Sequence, residues 1–531
     1  MKKQVIITII LLLATAFITV VYFKNLNTPG MRTSQVMRAI PDNASLIFEF
    51  NNEKSFYDIF NSNKLLTSVI GEQQIDELDV LRRTLLSNPL LEKYFTGQNI
   101  FISIHPSKTN TTDLLLSIAA ANGFEPDAIE QSAKQPNSGL LITPMHTAGG
   151  VQGFNIYISA LKKRFYVVNS AENVFSGSFS KELIDQFTAN KNDKGKPRFV
   201  LLSEQQSANS LANLYVNYAQ LQPLFDQLFK NTNTDIFKSL RLLPGLATLS
   251  LNYKTDALMF NGLTTIQENK AASYLSLFTD QQPVVNHLKD IFPSTTAYSI
   301  NFAVSDPLKF GADLSKWYEK AGIKSEESQL FSKILAETGI NLKSSFNNLI
   351  DNEFAIVTTR YFEKFAIVSV KDGSRLKLIM ATISKMTDEN SGQLSYEKLP
   401  FFLLGDAFSV FRRPYFLIID NYLVFANSHG ELSSYYDSYI NRKFLSKNDQ
   451  YIQFDNLLAA QSNVAFLFNF KNAEPILKRD LDSAVYNNFQ LREPGWKNFY
   501  LASWQFTAAD KNFYTNFSMR LNTDTTTTKN K

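Results

Sequence analysis

The sequence predicts an α+β protein of two homologous domains, each a mostly antiparallel sheet with packed helices and an internal strand–helix–hairpin pseudo-repeat. Three observations carry that expectation. One segment is written four times along the chain, runs with apolar residues at every second position recur in hairpin pairs, and the composition includes 44 Phe and 22 Tyr. Aromatic side chains favour the pleated, half-buried surface of a strand.

The repeat is the strongest of the three. ASLIFEF (44–50), NLYVNY (213–218), AYSINF (297–302) and VAFLFNF (464–470) end on Phe50, Tyr218, Phe302 and Phe470, at intervals of 168, 84 and 168 residues. The first pair therefore recurs as the second after 252 residues. Counting back from each anchor, the period-two positions are apolar: Leu46/Phe48, Leu214/Val216, Tyr298/Ile300 and Phe466/Phe468. That is the signature of a strand with one face in a core. The residue before each anchor is polar (Glu49, Asn217, Asn301, Asn469) and is expected to point away from the core and bond to the following turn. Pro223, Pro307 and Pro475 stand five residues beyond their anchors, as suits the first turn of a helix.

Hairpins follow these helices: 99–105 with 113–120, 246–253 with 257–266, 353–359 with 364–370, and 500–506 with 513–521. A further matched pair is NIYISALKKRFYVVNSAE (155–172) against YFLIIDNYLVFANSHGE (415–431), with Asn169-Ser170 and Asn427-Ser428 where a strand hands over to a helix. The expected domains are 40–270 and 271–521, with 522–531 a disordered tail.

At the amino terminus Lys2 and Lys3 precede an apolar run from Val5 to Phe23, long enough for roughly 28 Å of helix. Ala14-Thr15-Ala16 has the form of a signal-peptidase site, but the apolar run continues through FITVVYF. Residues 1–23 read as an uncleaved signal anchor and 24–39 as a polar stalk. The expected location is the bacterial inner membrane, crossed once, with the bulk of the chain in the periplasm.

Composition excludes several classes. There is no Cys, which removes disulfides, Cys-ligated metals and thiol nucleophiles. A net charge of +4 on 531 residues leaves no basic footprint for nucleic acid. Lys162-Lys163-Arg164 reads as a hairpin turn and NKNDKGKPR (190–198) as a solvated loop.

With the repeat in view, the chain resembles bacterial envelope proteins grouped as domain of unknown function 3352. The residues that carry this are IPDNASLIFEF, repeated as FPSTTAYSINF, and the DNYLVFANSHGEL stretch. The resemblance spans most of 36–521 and implies architecture and export, with no activity or catalytic residue to transfer.

Chemistry is sparse. His105, His146, His287 and His429 form no HxH or HExxH spacing and read as surface or hairpin residues. Glu326-Glu327 and Asp480/Asp482 read as solvated helix charge. No nucleophile elbow, P-loop or dinucleotide fingerprint occurs, and Gly149-Gly150 with Gly153 precedes a strand, as a turn does. No residue is singled out as catalytic, metal-ligating or cofactor-binding, and no cofactor is expected. The functional expectation is a membrane-tethered, non-enzymatic binding or scaffolding protein of the envelope, whose partners are the membrane through Val5–Phe23 and other envelope proteins. Two alternatives stay open: a carrier or sensor of an apolar ligand such as a lipid, and an envelope hydrolase without a recognisable motif.

Overall fold

The computed structural model describes residues 31–522, apart from 108–111, 122, 126, 171–172, 190–209, 231–242, 268–272 and 492–494. The Val5–Phe23 segment, the boundary near 270, the 190–198 loop and the tail beyond 522 lie outside the described residues. Among the described residues no helix is long and apolar enough to cross a membrane.

The fold is α+β, with twenty strands among the described residues in one antiparallel sheet. The first half supplies β1 Leu46–Asn51, β2 Asn99–Pro106, β3 Thr112–Ala119, β4 Leu140–His146 and β5 Gln152–Ile158. It continues with β6 Lys163–Ser170, β7 Val174–Ser178, β8 Ala212–Asn217, β9 Gly245–Tyr253 and β10 Ala257–Ile266. The second half supplies β11 Thr296–Ala303, β12 Ile350–Thr359, β13 Lys364–Val370, β14 Ser384–Met386 and β15 Ser391–Leu394. Then come β16 Tyr415–Ile419, β17 Tyr422–Ala426, β18 Val464–Asn469, β19 Phe499–Ala509 and β20 Asn512–Leu521.

The first ten strands lie in the order β4-β5-β6-β7-β3-β2-β1-β8-β9-β10. The sheet then continues β20-β19-β18-β11-β12-β13-β17-β16-β15-β14. Each strand of one half has its counterpart ten strands later, in reversed order, so the halves are two copies of one topology joined through β10 and β20. Register fixes the residue equivalences. Phe50 lies opposite Ala212 and Phe302 opposite Val464, which places Phe50 on Phe302.

An approximate two-fold axis relates the halves, and two residue pairs mark it. Stepping from β8 to β9 to β10 equates Ser250 with Gln505 and Asn261 with Asn516. Asn261 and Asn516 also stand directly opposite each other in the β10–β20 pair. Phe229 and Leu481, 252 residues apart, likewise face each other in an isolated antiparallel bridge. There the Lys230 N–H donates to Asp480 O at 2.8 Å and the Asp482 N–H to Leu228 O at 2.9 Å. Both junctions are self-complementary, as in a two-fold dimer.

One face of the sheet carries a core continuous across both halves, from Phe50 and Phe260 to Phe302 and Phe506. The aromatic stripe is consumed in it: Phe302 stacks on Phe278 and Phe354, with centroids 5.3 and 5.5 Å apart. The opposite face, to which the residues before the anchors were expected to point, is covered on both flanks. In the first half the Met31–Ala39 helix lies there, with Val36, Met37 and Ile40 clustered against Ile47, Phe101 and Tyr215. Those residues were expected as polar stalk; three apolar side chains at helical spacing suffice to dock them. In the second half the His429–Ile440 and Asp449–Asp455 helices place Leu432, Tyr435 and Phe454 on Phe365, Val424 and Leu501.

Two finer expectations shift. Sheet order equates β6 and β7 with β16 and β17, so the 155–172 hairpin was matched one strand out of step. Asn169-Ser170 ends β6 and leads into another strand, and the residue that occupies the place of Ser428 is Ser180, whose Oγ accepts from Leu183 N at the start of the Lys181–Ala189 helix. Asp306 caps the Pro307–Lys320 helix with proline at its start, as expected, whereas Pro475 sits inside the Phe470–Asp480 helix because Asn469 starts that helix at once.

Candidate functional site

Register turns isolated polar residues into one row. On the face carrying the flanking helices, the residues Glu49, Asn213, Ser250, Asn261, Asn516, Gln505, Ala465 and Asn301 stand opposite one another in sequence across eight strands. Seven of the eight are polar, at the strand spacing of about 4.8 Å. The row crosses the two-fold axis between Asn261 and Asn516. A Cβ at Gly262 would strike the Thr248 carbonyl, so only glycine lets β9 and β10 pack this closely beneath it.

The two ends of the row are buried, each around a carboxylate that collects several donors, although Asn301 Oδ1 has no partner. Glu49 is 1 % exposed, and its carboxylate accepts from Asn99 Nδ2 (2.7 Å), Asn213 Nδ2 (3.2 Å) and the Tyr215 hydroxyl (2.7 Å). The phenol's pKa is pushed up by burial and by that carboxylate. At the other end Glu353 accepts from Asn301 Nδ2 (3.0 Å) and from the His287 and Leu288 backbone N–H groups (2.8 and 3.2 Å). Ile100 lies opposite Phe50 and Phe354 opposite Phe302, so Asn99 and Glu353 are counterparts, as Glu49 and Asn301 are. Acid and amide have exchanged places between the copies. The expectation that all four pre-anchor residues bond to the next turn therefore holds for Asn469, which accepts from Asn472 N at 3.0 Å, and fails for Glu49 and Asn301. A helix layer on the second face, invisible to period-two patterning, is the reason.

The centre of the row is different. Asn261 and Asn516 are half-buried and have no side-chain hydrogen bond to another residue of the described chain. Met259, Leu263 and the exposed Tyr514 flank them on the same face, with Asn252 exposed beside Met259. Thr248 Oγ1, across from Leu263, is buried without a partner. Among the described residues the result is a polar floor, partly exposed, between two helix-covered flanks.

The histidines separate as follows. His146 ends β4, His287 precedes the Leu288–Ile291 turn and His429 starts a helix, all three exposed. His105, expected at a surface, is fully buried in β2. Its Nδ1 bonds Asn43 Oδ1 and its Nε2 bonds Ser103 Oγ, both at 2.8 Å. The arrangement has the connectivity of a nucleophile, base and orienting amide. Ser103 is also fully buried, however, and burial lowers the imidazole pKa to about 4, so a substrate has no approach and the base is weak. The relay ties the 43–45 turn to the sheet.

Of the acids read as surface charge, Glu326 is exposed but Glu327 is buried. Glu327 bonds Lys324 and Lys343, each at 2.5 Å, and Ser315 at 3.2 Å, and these three partners help line an open groove of about 610 Å³ with Gly311, Lys316 and Asn347. Asp480, also buried, pairs with Arg479. No group of three or more His, Asp or Glu that could hold a metal occurs among the described residues.

No family model matches the chain, and no curated protein does. Among solved structures, crystal forms III and I of TP0453 align with 10 % and 11 % identity. They cover 47 % and 48 % of this chain and 89 % and 88 % of that one, at TM-scores of 0.23 and 0.24. Similarity at that level carries neither fold nor function across.

Proposed function

We propose that the chain is a non-enzymatic binding or scaffolding protein of the bacterial envelope, tethered through Val5–Phe23 with its sheet on the periplasmic side. Kinship with the domain of unknown function 3352 proteins is part of this reading and rests on the repeated IPDNASLIFEF and FPSTTAYSINF segments. The observation that carries the binding role is the uncovered centre of the sheet. Among the described residues helices lie over the two flanks of this face, whereas Asn261, Asn516, Met259 and Tyr514 are left on a rigid floor of paired strands between them. Side chains held by a sheet are pre-organised for a partner at little cost in conformational entropy. A lipid carrier draws no comparable support, since the aromatic stripe that would line its cavity is packed ring on ring.

A photo-crosslinking residue at Tyr514, introduced in living cells, tests the reading against the same residue at Leu141 on the far edge strand. Discrete adducts from position 514 that position 141 lacks are expected, together with a mature chain that begins at Met1. Equal adducts at the two positions would overturn the docking face, and a mature chain beginning at Phe17 would overturn the tether.

A further inference from the structure

We infer that the occupant of the open central face is an uncharged oligosaccharide chain, an inference that rests on the docking face proposed above. The first argument is charge. Of the residues that β9, β10, β20 and β19 turn to this face, the charged one is Arg520, and it is held by Asp256 at 2.7 Å and Gln453 at 2.9 Å. Among the residues these strands turn to the face, an ionic ligand would meet no free counter-charge.

The second argument is hydrogen-bonding capacity. A carboxamide offers two donors and an acceptor oxygen, and a sugar hydroxyl both donates and accepts. Asn261, Asn516 and Asn252 present amides along neighbouring strands, so donors and acceptors recur at the strand spacing of about 4.8 Å. A purely apolar occupant would bury these amides unpaired, and an unpaired buried amide is unfavourable.

The third argument is shape. Tyr514, 47 % exposed, and Met259 provide apolar surface on either side of the amide pair. The C–H face of a pyranose ring packs on such a surface while its hydroxyls reach the amides. Across the two-fold axis the asparagine is kept, while Met259 stands in the place of Tyr514, Ser518 in that of Leu263 and Thr507 in that of Asn252.

The test is isothermal titration of the full chain in detergent with two neutral probes, N-acetylglucosamine hexamer and maltohexaose, beside the double variant Asn261→Ala/Asn516→Ala. We expect saturable binding of at least one probe, weakened at least about tenfold in the double variant, with an unchanged thermal midpoint. No saturable binding of either probe, or equal binding by the double variant, overturns the inference. Site-specific protein adducts from position 514 without oligosaccharide binding would remove the ligand class and leave the docking face standing. Failure of both the adducts and the titration would remove both.

Discussion

The buried carboxylate of Glu49 makes the sharpest quantitative prediction. Its three neutral donors, two amides and a phenol, converge on a group that is 1 % exposed. Truncation in Glu49→Ala strands all three, and each stranded donor costs about 1–3 kcal/mol, reduced where water can enter the new space. The expected loss is about 3–5 kcal/mol. Glu49→Gln keeps the shape but turns an NH2 toward a donor, so about 1–2 kcal/mol should go. Tyr215→Phe removes one charge-assisted bond and leaves the carboxylate its bonds from Asn99 and Asn213, for about 1.5–3 kcal/mol. The assay is urea denaturation of the folded portion at pH 7, read by tryptophan fluorescence, with the slope checked for constancy. A buried charge also costs desolvation, and replacing one is sometimes neutral or stabilising. Glu49→Ala within about 0.5 kcal/mol of the parent would therefore refute the view that the network holds β1, β2 and β8 together.

Phe302→Ala should cost about 3–5 kcal/mol by emptying a fully buried site, whereas Asn469→Ala, which loses a single cap, should cost about 1 kcal/mol in the same denaturation series. Stability should also fall in acid through His105: its folded pKa, near 4, lies below the unfolded value near 6.5, so the unfolded chain binds the extra proton between those values. The loss begins as pH drops below about 6.5, is complete near 4, and amounts to about 3 kcal/mol; denaturation midpoints from pH 7.5 to 4 should show a step that His105→Gln flattens. A protease site placed within 268–272 should leave the halves associated after cleavage, because β10–β20 pairing and the continuous core still join them; elution of separate halves in size-exclusion chromatography would count against a shared core.

Much of this architecture was legible in the residues. Period-two apolarity located the strands, since alternation records which face of a pleat meets a core. The 252-residue interval between Phe50 and Phe302 revealed the duplication without coordinates. The candidate site was only half legible. Glu49 and Asn301 stood out as repeated polar positions, but Asn213, Ser250, Asn261, Asn516 and Gln505 share no local motif with them.

The sequence by itself determined the strand and helix content, the four-fold recurrence and the acid-proline start of the Pro307–Lys320 helix, all of which arise from neighbours along the chain. Tertiary structure decided which strands adjoin, and hence that Asn261 meets Asn516 on an internal two-fold axis. It decided that Glu49 is buried, because the covering helix, Met31–Ala39, lies elsewhere in the sequence. It also made His105 and Glu327 interior groups and left the middle of the sheet open. Register and layer packing are set by pairings across tens to hundreds of residues, and a single sequence records the residue types that satisfy those pairings without recording which residue meets which.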